Sequence, residues 1–491
     1  MCSVNDDDCE IGTETPIISK TIDLNDTKCK KCEEKETAIV LRGKDAYCKN
    51  CFLASSTHKF RATLGKSKIV RPNDKILVAH SGRAASSILL HLIRAGMQES
   101  THKRLVFKST VLYIDEGILE GKTLDQRRES VNKISDQIKN FGFNGFFTTI
   151  NESLTELMPK ISPIDSTIIN DENEEIKKIF ASLNDESAKK DLLLKLRSRL
   201  LHRVALQLNC NKIFTAESAT SLSISILNNI SMGRGAHLSL DVGFIDTRYS
   251  DTMILRPMRG FTTMEIDYYS QFHNVEIPIV KLKNFNDKNK LKSIQNLISQ
   301  FVNEMDAESH GTVSTVLRTG EKLCTLISKE KNEKFCILCN ATLDTELNNS
   351  EICAIQATNY SQFVSTNVIE LNGGKNYESL IKKIESNCEK KVTDKNCESK
   401  ETKIIKENDK KVEENSEIEE NNCNRDCECK KNCTEKTEDD VKILKKNLCY
   451  GCQLIVVNFK DVNDIPIFMI NNARNSMSFR KMHEEIAEFL L

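Results

Sequence analysis

The sequence predicts an α/β fold built on a parallel β-sheet with helices on both faces. The first observation is an apolar, strand-like run at 75–80 (KILVAH) that passes through Ser81-Gly82 into an apolar helical stretch. The second is a long helical pattern at 191–208. Further strand-like runs lie at 105–114, 145–150 and 212–216. Strands that alternate with helices favour a parallel sheet, because each helical crossover returns the chain to the same edge.

Length and composition predict a soluble protein of two or three compact units. A chain of 491 residues exceeds the size at which a single hydrophobic core stops growing. The acidic start MCSVNDDDCE lacks the features of a secretory signal, and no apolar run is long enough to span a bilayer. We therefore expect a cytoplasmic protein without a membrane partner. The net charge of −1 gives no indication of a nucleic-acid partner, so the distribution of charge matters more than its sum.

The amino-terminal cysteines predict a structural zinc site. Cys29-x2-Cys32 and Cys48-x2-Cys51 are separated by fifteen residues, which is the spacing expected of a four-thiolate zinc ribbon. Two such knuckles close a tetrahedron around Zn²⁺ and leave no position for water, so the site is structural. The 19 cysteines of the chain, in a reducing compartment, do not indicate disulfides. The alternatives to zinc are four unrelated buried cysteines and a redox C-x-x-C motif, for which the surrounding sequence lacks the expected βαβ pattern.

A second pair of knuckles lies far apart in the sequence. Cys336-x2-Cys339 and Cys449-x2-Cys452 are each flanked by apolar residues that we interpret as leading into or out of a strand. The entropy of closing the long loop between them grows only logarithmically with its length, so a split zinc ribbon is feasible. Other cysteines that offer a thiolate are Cys353, Cys423, Cys427, Cys429 and Cys433.

A basic stretch, HKFRATLGKSKIVRP, follows the first knuckles without one intervening acid. Such a run neutralises a nucleic-acid backbone by releasing counterions, although a solvated helix face explains it equally well. The candidate RNA-binding residues are Lys59, Arg61, Lys66, Lys68 and Arg71.

Composition divides the rest of the chain. Residues 1–28 predict a flexible tail, and 385–446, rich in Lys, Glu and Asn, predict a disordered insertion because they lack the apolar surface that offsets the entropy of ordering. Helical patterns lie at 287–305 and 478–491, and the run after Cys449-x2-Cys452 (QLIVVNF) predicts a strand.

Together, the cysteine quartet, the HKFRATLGK stretch and the strand that ends in Ser81-Gly82 resemble the cytoplasmic tRNA 2-thiolation protein 2 family. Members of this family are companions of a catalytic thiolation subunit. The resemblance implies a degraded ATP-pyrophosphatase-like (adenine nucleotide alpha hydrolase-like) α/β domain at 61–320, after a zinc-ribbon module at 29–60. It also implies a carboxy-terminal split zinc ribbon, formed by 321–384 and 447–491, and so supports pairing the distant knuckles.

The loop after the first strand departs from the catalytic pattern. Catalytic relatives carry S-G-G-x-D-S there, whose glycine amides hold pyrophosphate and whose Asp organises the nucleotide and its metal. In this chain Arg83 replaces the second glycine and Ala85 replaces the carboxylate, while Ser81, Gly82 and Ser86 remain. A bulky side chain stands where the backbone must approach phosphate, so we expect no ATP on this chain, although Arg83 offers a cation for an anion.

Two further elements of a catalytic site are missing. Catalytic relatives carry a G-H-N-x-D-D turn after the strand at 212–216 and a sulfur-transferring cysteine on the preceding helix. This chain has 217–221 (ESATS) instead, and its nearest thiol, Cys210, reads as a small buried hydrophobe. Three downstream arginines are candidates for phosphate contact, partner contact or ordinary salt bridges: Arg234, Arg256 and Arg259.

The resemblance implies a non-catalytic subunit of a tRNA sulfurtransferase complex. Its heterodimeric partner would adenylate the wobble uridine of tRNA Lys, Glu and Gln and take sulfur from a thiocarboxylated ubiquitin-related modifier, which yields 5-methoxycarbonylmethyl-2-thiouridine. An active thiolase or amidotransferase of the same fold is the first rival, and the eroded loops disfavour it. The second is a zinc-dependent RNA-binding regulator without an enzyme partner, which would have no need of an eroded enzyme core.

Overall fold

The computed structural model describes residues 28–42, 45–98, 104–166, 174–279, 293–308, 311–323, 334–343 and 437–489. The predicted tail at 1–28, apart from its last residue, and the part of the predicted insertion at 385–436 lie outside these residues. The chain divides into two compact units. The first comprises 1–331, 338–341 and 457–460, and the second comprises 332–337, 342–456 and 461–491.

A seven-stranded sheet, as far as the described residues go, forms the centre of the first unit, with the strand order β6-β5-β4-β3-β7-β9-β8. Its strands are β3 (Lys75–His80), β4 (Lys108–Asp115), β5 (Asn144–Thr149), β6 (Ser162–Pro163), β7 (Lys212–Phe214), β8 (Ile245–Asp246) and β9 (Met253–Leu255). The five central strands are parallel. The outermost strands, β6 and β8, pair antiparallel with β5 and β9. The predicted parallel-sheet α/β fold is thus confirmed, with all four sequence-predicted strands present.

Helices cover both faces of this sheet, as the alternation of buried residues in β3 requires. Ile76 and Val78 belong to one hydrophobic cluster and Leu77 to another, because successive side chains of a strand point to opposite faces. The helices of the unit are α1 (Lys49–Ser67), α2 (Ala84–Met97), α3 (Leu124–Asn140), α4 (Glu175–Ser182), α5 (Glu186–Gln207), α6 (Ala219–Ser231), α7 (Leu238–Val242), α8 (Thr263–His273), α9 (Ile294–Glu308) and α10 (Thr312–Lys322). The predicted helical patterns at 191–208 and 287–305 correspond to α5 and α9.

The cysteine module at the amino terminus shares the core of the sheet. Its antiparallel hairpin consists of β1 (Ile39–Leu41) and β2 (Asp45–Tyr47) and leads directly into α1. Phe60 of α1 and Ile39 of the hairpin are buried in the same cluster as α2 and the first face of β3. Helix α1 therefore runs across residue 60, where the sequence placed the end of the module.

The second unit contains helices where the sequence predicted a disordered segment and a strand. Helix α11 (Glu438–Lys446) lies within the predicted disordered insertion, so that prediction was wrong for its last turns. A capping box at Thr437 and Asp440 begins the helix, and Arg474 holds the Asp440 carboxylate through two hydrogen bonds of 2.7 and 2.6 Å. These contacts stabilise the helix, which the composition of the segment did not predict.

The predicted strand after the last knuckle is also wrong, because residues there form helix α12 (Tyr450–Val457). The amides of Cys452 and Gln453 both donate to the Cys449 carbonyl, so the knuckle turn continues as a helix despite the strand-favouring Leu-Ile-Val-Val run. Helix α13 (Ile467–Phe489) contains the predicted carboxy-terminal helix and begins earlier than predicted. In the part of the chain that is described, no helix is long and apolar enough to cross a membrane.

Replacing Phe60 by Ala should lower the free energy of unfolding by about 3–5 kcal/mol, because the ring is 1% exposed within the core. The matched control, His58→Ala, removes an exposed side chain from the same helix and should change stability by less than about 0.5 kcal/mol. Urea unfolding followed by circular dichroism measures both variants. Similar small effects for the two would contradict the packing of α1 into the sheet's core.

Candidate functional site

The first four cysteines converge as their spacing predicts. The sulfurs of Cys29, Cys32, Cys48 and Cys51 all lie within 4.8 Å of one another, and those of Cys32 and Cys48 are 3.9 Å apart. Zinc–sulfur bonds of about 2.3 Å in a tetrahedron place sulfurs about 3.8 Å apart, so this group fits one Zn²⁺. A left-handed residue, Glu33 at φ 56°, turns the first knuckle so that its amide donates to the Cys29 carbonyl.

The local backbone favours the thiolate of Cys29 but not of every cysteine in the group. Burial of Cys29 raises the pKa of its thiol, but hydrogen bonds with the backbone of Cys48, Cys32 and Lys31 outweigh burial and lower the pKa to about 6. The side-chain hydrogen bond with Cys48, followed by burial, raises the pKa of Cys51 to about 12. Because the thiolate is the form that binds metal, metal binding by the whole group would release protons.

The other four predicted ligands also come together. The sulfurs of Cys336, Cys339, Cys449 and Cys452 lie within 4.8 Å of one another, and all four residues are buried. The alternative ligands Cys353, Cys423, Cys427, Cys429 and Cys433 lie outside the described residues. Cys210 belongs to neither group. It is 3% exposed, and burial raises the pKa of its thiol, which matches a small buried hydrophobe rather than a nucleophile.

The loop between β3 and α2 is closed by a distant segment of the chain. Gly82 adopts φ 72°, and its carbonyl accepts a hydrogen bond of 2.9 Å from the amide of Ile279. A Cβ placed on Gly82 would lie 2.8 Å from Cδ1 of Ile279 and 3.0 Å from Cδ1 of Ile134. The glycine is therefore needed for packing against Ile279, and its α-carbon is covered by an apolar side chain rather than open to a phosphate.

The serines of this loop serve the loop itself. The Ser86 hydroxyl donates to the Arg83 carbonyl at 2.9 Å and accepts from the Ser81 amide at 3.2 Å, and the two hydroxyls are 3.1 Å apart. Ala85 is half-buried against the core, whereas Arg83 is exposed at the start of α2. Of the five residues of the degraded loop, Arg83 is thus the one that presents a charge to solvent.

The strand ends around this loop carry carboxylates that arginines neutralise. Such an edge, at the carboxyl ends of parallel strands, is where open α/β sheets bind ligands. At the end of β4, Arg127 Nε donates to Asp115 at 2.7 Å, in a pair whose side chains are 3% and 1% exposed. The three pairs are Asp115–Arg127, Glu116–Arg197 and Glu217–Arg256.

The guanidinium of Arg256 is hydrogen-bonded within the protein. It donates to Glu217 at 2.6 Å and to the carbonyls of Leu240 and Gly243 at 3.1 and 2.8 Å, and it is 4% exposed. Its two companions from the sequence analysis are also in ion pairs, Arg234 with Asp191 and Arg259 with Glu321. Internal salt bridging, the ordinary alternative, accounts for these three arginines, and their contact with phosphate or a partner stays a prediction.

A histidine beneath the loop is held neutral. His80, the last residue of β3, is 3% exposed, and burial lowers its pKa to about 4. His80 is therefore uncharged at neutral pH. It offers no cation that could bind a phosphate at the carboxyl ends of the strands.

The five cations of the basic stretch are separated by the structure. Lys59 forms an ion pair with Glu265, donates to the Gly260 carbonyl at 3.3 Å and lies 5.0 Å from the centre of the Phe261 ring. Arg61 is half-buried and has partners within the protein. The remaining three are exposed: Lys66, which borders a groove of about 1300 Å³ lined also by α8 and α10, and Lys68 and Arg71.

Fold and site together define an α/β protein with a mainly parallel sheet and two four-cysteine groups. A family profile for cytoplasmic tRNA 2-thiolation protein 2 matches residues 293–397. Relatives with that family name include one from Xenopus laevis, 30% identical with 94% of each chain covered, and one from Homo sapiens, 30% identical with 66% of this chain and 72% of that one covered. The chain belongs to the cytoplasmic tRNA 2-thiolation protein 2 family.

Among solved structures, the chain is similar to the U34-tRNA thiolase NcsA from Methanococcus maripaludis with its [4Fe-4S] cluster. The TM-score is 0.48 and the identity 16%, with 67% of this chain and 100% of that chain covered. NMN synthetase from Francisella tularensis matches with a TM-score of 0.32 and 10% identity, over 58% of this chain and 100% of that chain.

We expect Gly82→Ala to destabilise the protein more than Gly121→Ala. Both glycines have φ near 70°, so alanine at either costs about 1–2 kcal/mol of backbone strain. Only Gly82 adds a clash, because a Cβ on Gly121 meets no atom within 4 Å. The difference in the free energy of unfolding, measured in urea, should be about 1–3 kcal/mol. Equal effects would show that Ile279 does not cover the loop.

Elemental analysis of the purified chain should find two zinc ions, one for each four-cysteine group. Cys48→Ser should remove one of them, and Cys210→Ser, which changes a buried cysteine outside both groups, should remove none. Plasma emission spectroscopy of each variant gives the metal and its stoichiometry. Iron in place of zinc, or loss of metal from Cys210→Ser, would contradict the assignment.

Proposed function

We propose that this chain is the non-catalytic subunit of a cytoplasmic tRNA sulfurtransferase complex, required for 2-thiolation of the wobble uridine. The observation that carries the proposal is the sealed ligand edge in a member of this family. Gly82 is covered by Ile279, and the three carboxylates at the strand ends are bound to arginines. Family membership supports the pathway, and the sealed edge supports the non-catalytic role.

Adenylation of a nucleoside needs groups that this edge does not offer. Amide donors must approach the phosphates closely, and a free carboxylate must hold the divalent metal that accompanies ATP. Within the described residues, Asp115, Glu116 and Glu217 are the acids at the ends of the central strands, and each is bound to an arginine. Releasing Asp115 would leave the buried guanidinium of Arg127 unpaired, at a cost of about 3–5 kcal/mol.

The chemistry is then performed by a partner. We propose a heterodimer in which a catalytic subunit of the same fold adenylates the wobble uridine of tRNA Lys, Glu and Gln. That subunit takes sulfur from a thiocarboxylated ubiquitin-related modifier, and the product is 5-methoxycarbonylmethyl-2-thiouridine. The printed family name, with its words cytoplasmic, tRNA and 2-thiolation, supports the compartment and the pathway.

Zinc is the metal we assign to both four-cysteine groups, in which a closed tetrahedron of thiolates leaves no open position. Cys29, Cys32, Cys48 and Cys51 would hold one ion and fix the β1–β2 hairpin to the start of α1. Its contribution is folding free energy, because a preformed site does not exist in the unfolded chain.

The test is complementation of cells depleted of this protein, with mass spectrometry of wobble nucleosides from the Lys, Glu and Gln tRNAs. We expect loss of the 2-thio group on depletion. Full restoration is expected from the wild type and from a Ser81→Ala/Arg83→Ala double variant, because two exposed residues of a sealed loop carry no chemistry.

The outcomes separate the candidate functions. A large loss of thiolation with the double variant, of the order of 10²-fold, would indicate a working phosphate loop and an active enzyme. Unchanged thiolation on depletion would remove the chain from the pathway and favour the zinc-dependent RNA-binding regulator.

A further inference from the structure

The amino-terminal edge of the central sheet carries a row of lysines. Three neighbouring parallel strands each begin with one: Lys108 begins β4, Lys75 begins β3 and Lys212 begins β7. Lys75 and Lys108 are direct register partners, and Lys212 pairs with Ile76, one residue further along β3. Because neighbouring strands lie about 4.8 Å apart, the row extends over about 10 Å of the edge.

The connection from α1 to β3 adds two more cations to this edge. Helix α1 ends at Ser67, its C-cap residue Lys68 is left-handed with φ 53°, and Arg71 follows in the loop. Hydrogen bonds of 2.8 Å, from the Asn73 amide to the Val106 carbonyl and from the Lys108 amide to the Asp74 carbonyl, fasten this loop to the start of β4. The loop is therefore held in place beside the two lysines.

Asp74, the acid in this loop, already has hydrogen-bond partners within the protein. Oδ2 of Asp74 accepts from Lys212 at 3.0 Å in a largely buried pair, in which the Lys212 and Asp74 side chains are 7% and 13% exposed. The same oxygen accepts from the Arg71 amide at 2.6 Å. Lys68, Arg71, Lys75 and Lys108 are all exposed, and among the described residues none of the four side chains forms an ion pair closer than 4.0 Å. Four cations thus remain for a ligand.

Side-by-side lysines cost stability. Like charges at directly opposed strand positions are destabilising, and opposed charges or polar pairs would serve the sheet better. The four side chains are also exposed, unlike those that line a pocket enclosing a small ligand. Such an exposed row, with rigid backbone beneath it, matches an extended polyanion whose many phosphates contact separate cations.

We propose that the amino-terminal edge of the sheet binds the phosphate backbone of RNA through Lys68, Arg71, Lys75 and Lys108. The inference rests on the proposed function, in which tRNA is the substrate of the complex. It places Lys75 and Lys108, which lie outside the basic stretch of the sequence, on the same surface as Lys68 and Arg71 from the end of that stretch. The surface lies at the opposite edge of the sheet from the sealed loop, so RNA and the remnant of the nucleotide site do not compete.

The test compares binding of a fluorescently labelled, unmodified tRNA transcript to the full chain across a range of salt concentrations. The Lys75→Ala/Lys108→Ala variant should bind at least about 10-fold more weakly near 0.1 M salt. Its slope of log affinity against log salt should be shallower by about 1.5–2, because two phosphate contacts are lost.

The matched control is Lys133→Ala/Lys177→Ala, which removes the same charge from exposed lysines of α3 and α4. It should leave both affinity and slope at the wild-type values. Urea unfolding of both variants should stay within about 0.5 kcal/mol of the wild type, which excludes misfolding as the cause.

Equal losses in the two double variants would overturn the proposal, because they would show that total charge rather than this edge holds RNA. Wild-type tRNA binding in Lys75→Ala/Lys108→Ala, combined with loss of a co-purifying protein, would also overturn it and make the edge a protein interface. Either result leaves the proposed function intact if the wild-type chain restores thiolation in depleted cells. Failure of that restoration would instead count against the proposed function.

Discussion

The pairing of buried charges at the carboxyl edge of the sheet governs the architecture of the first unit. Asp115 and Arg127 are almost completely buried, and neither could remain charged there without the other. The arginines of the three pairs come from different parts of the fold, namely α3, α5 and the residue after β9. Each pair therefore fixes a separate element to a strand end, and together they determine how helices approach the edge where a ligand would otherwise enter.

Local packing and hydrogen bonding account for the residues of the loop between β3 and α2. Ser81, Gly82 and Ser86 each have a structural task there. Ser86 accepts and donates within the loop, and Gly82 provides a left-handed turn with room for Ile279. A phosphate-binding function is not required to explain them, because packing and hydrogen bonding are sufficient.

Local signals in the sequence were enough for the parallel sheet and for the convergence of the first four cysteines, whereas pairing the two distant knuckles also required the family resemblance. The apolar run of β3, its turn and α2 follow one another, so their period and order can be recognised directly. The partners of the charged residues could not be predicted, because Glu116 and Arg197 are 81 residues apart and Glu217 and Arg256 are 39 apart. The contact of Ile279 with Gly82 is likewise non-local. The run after Cys449 was misjudged because its β-branched residues favour a strand, whereas the turn at the knuckle propagates a helix.

The starts and the ends of the parallel strands thus carry different charges, and the topology of the sheet makes this difference possible. In a parallel sheet all strand starts lie on one edge and all strand ends on the other, so each edge can change its charge without altering the other. Here the ends carry acids matched by internal arginines, while the starts carry lysines of which only Lys212 is matched, by Asp74. Unmatched like charges cost stability, so their presence here calls for another reason, and an exposed basic edge supplies one because it attracts polyanions. Exposed charge at the starts of the strands can therefore serve a polyanion independently of the paired acids at their ends, which is the arrangement expected under the proposed role of a subunit that holds RNA for a catalytic partner.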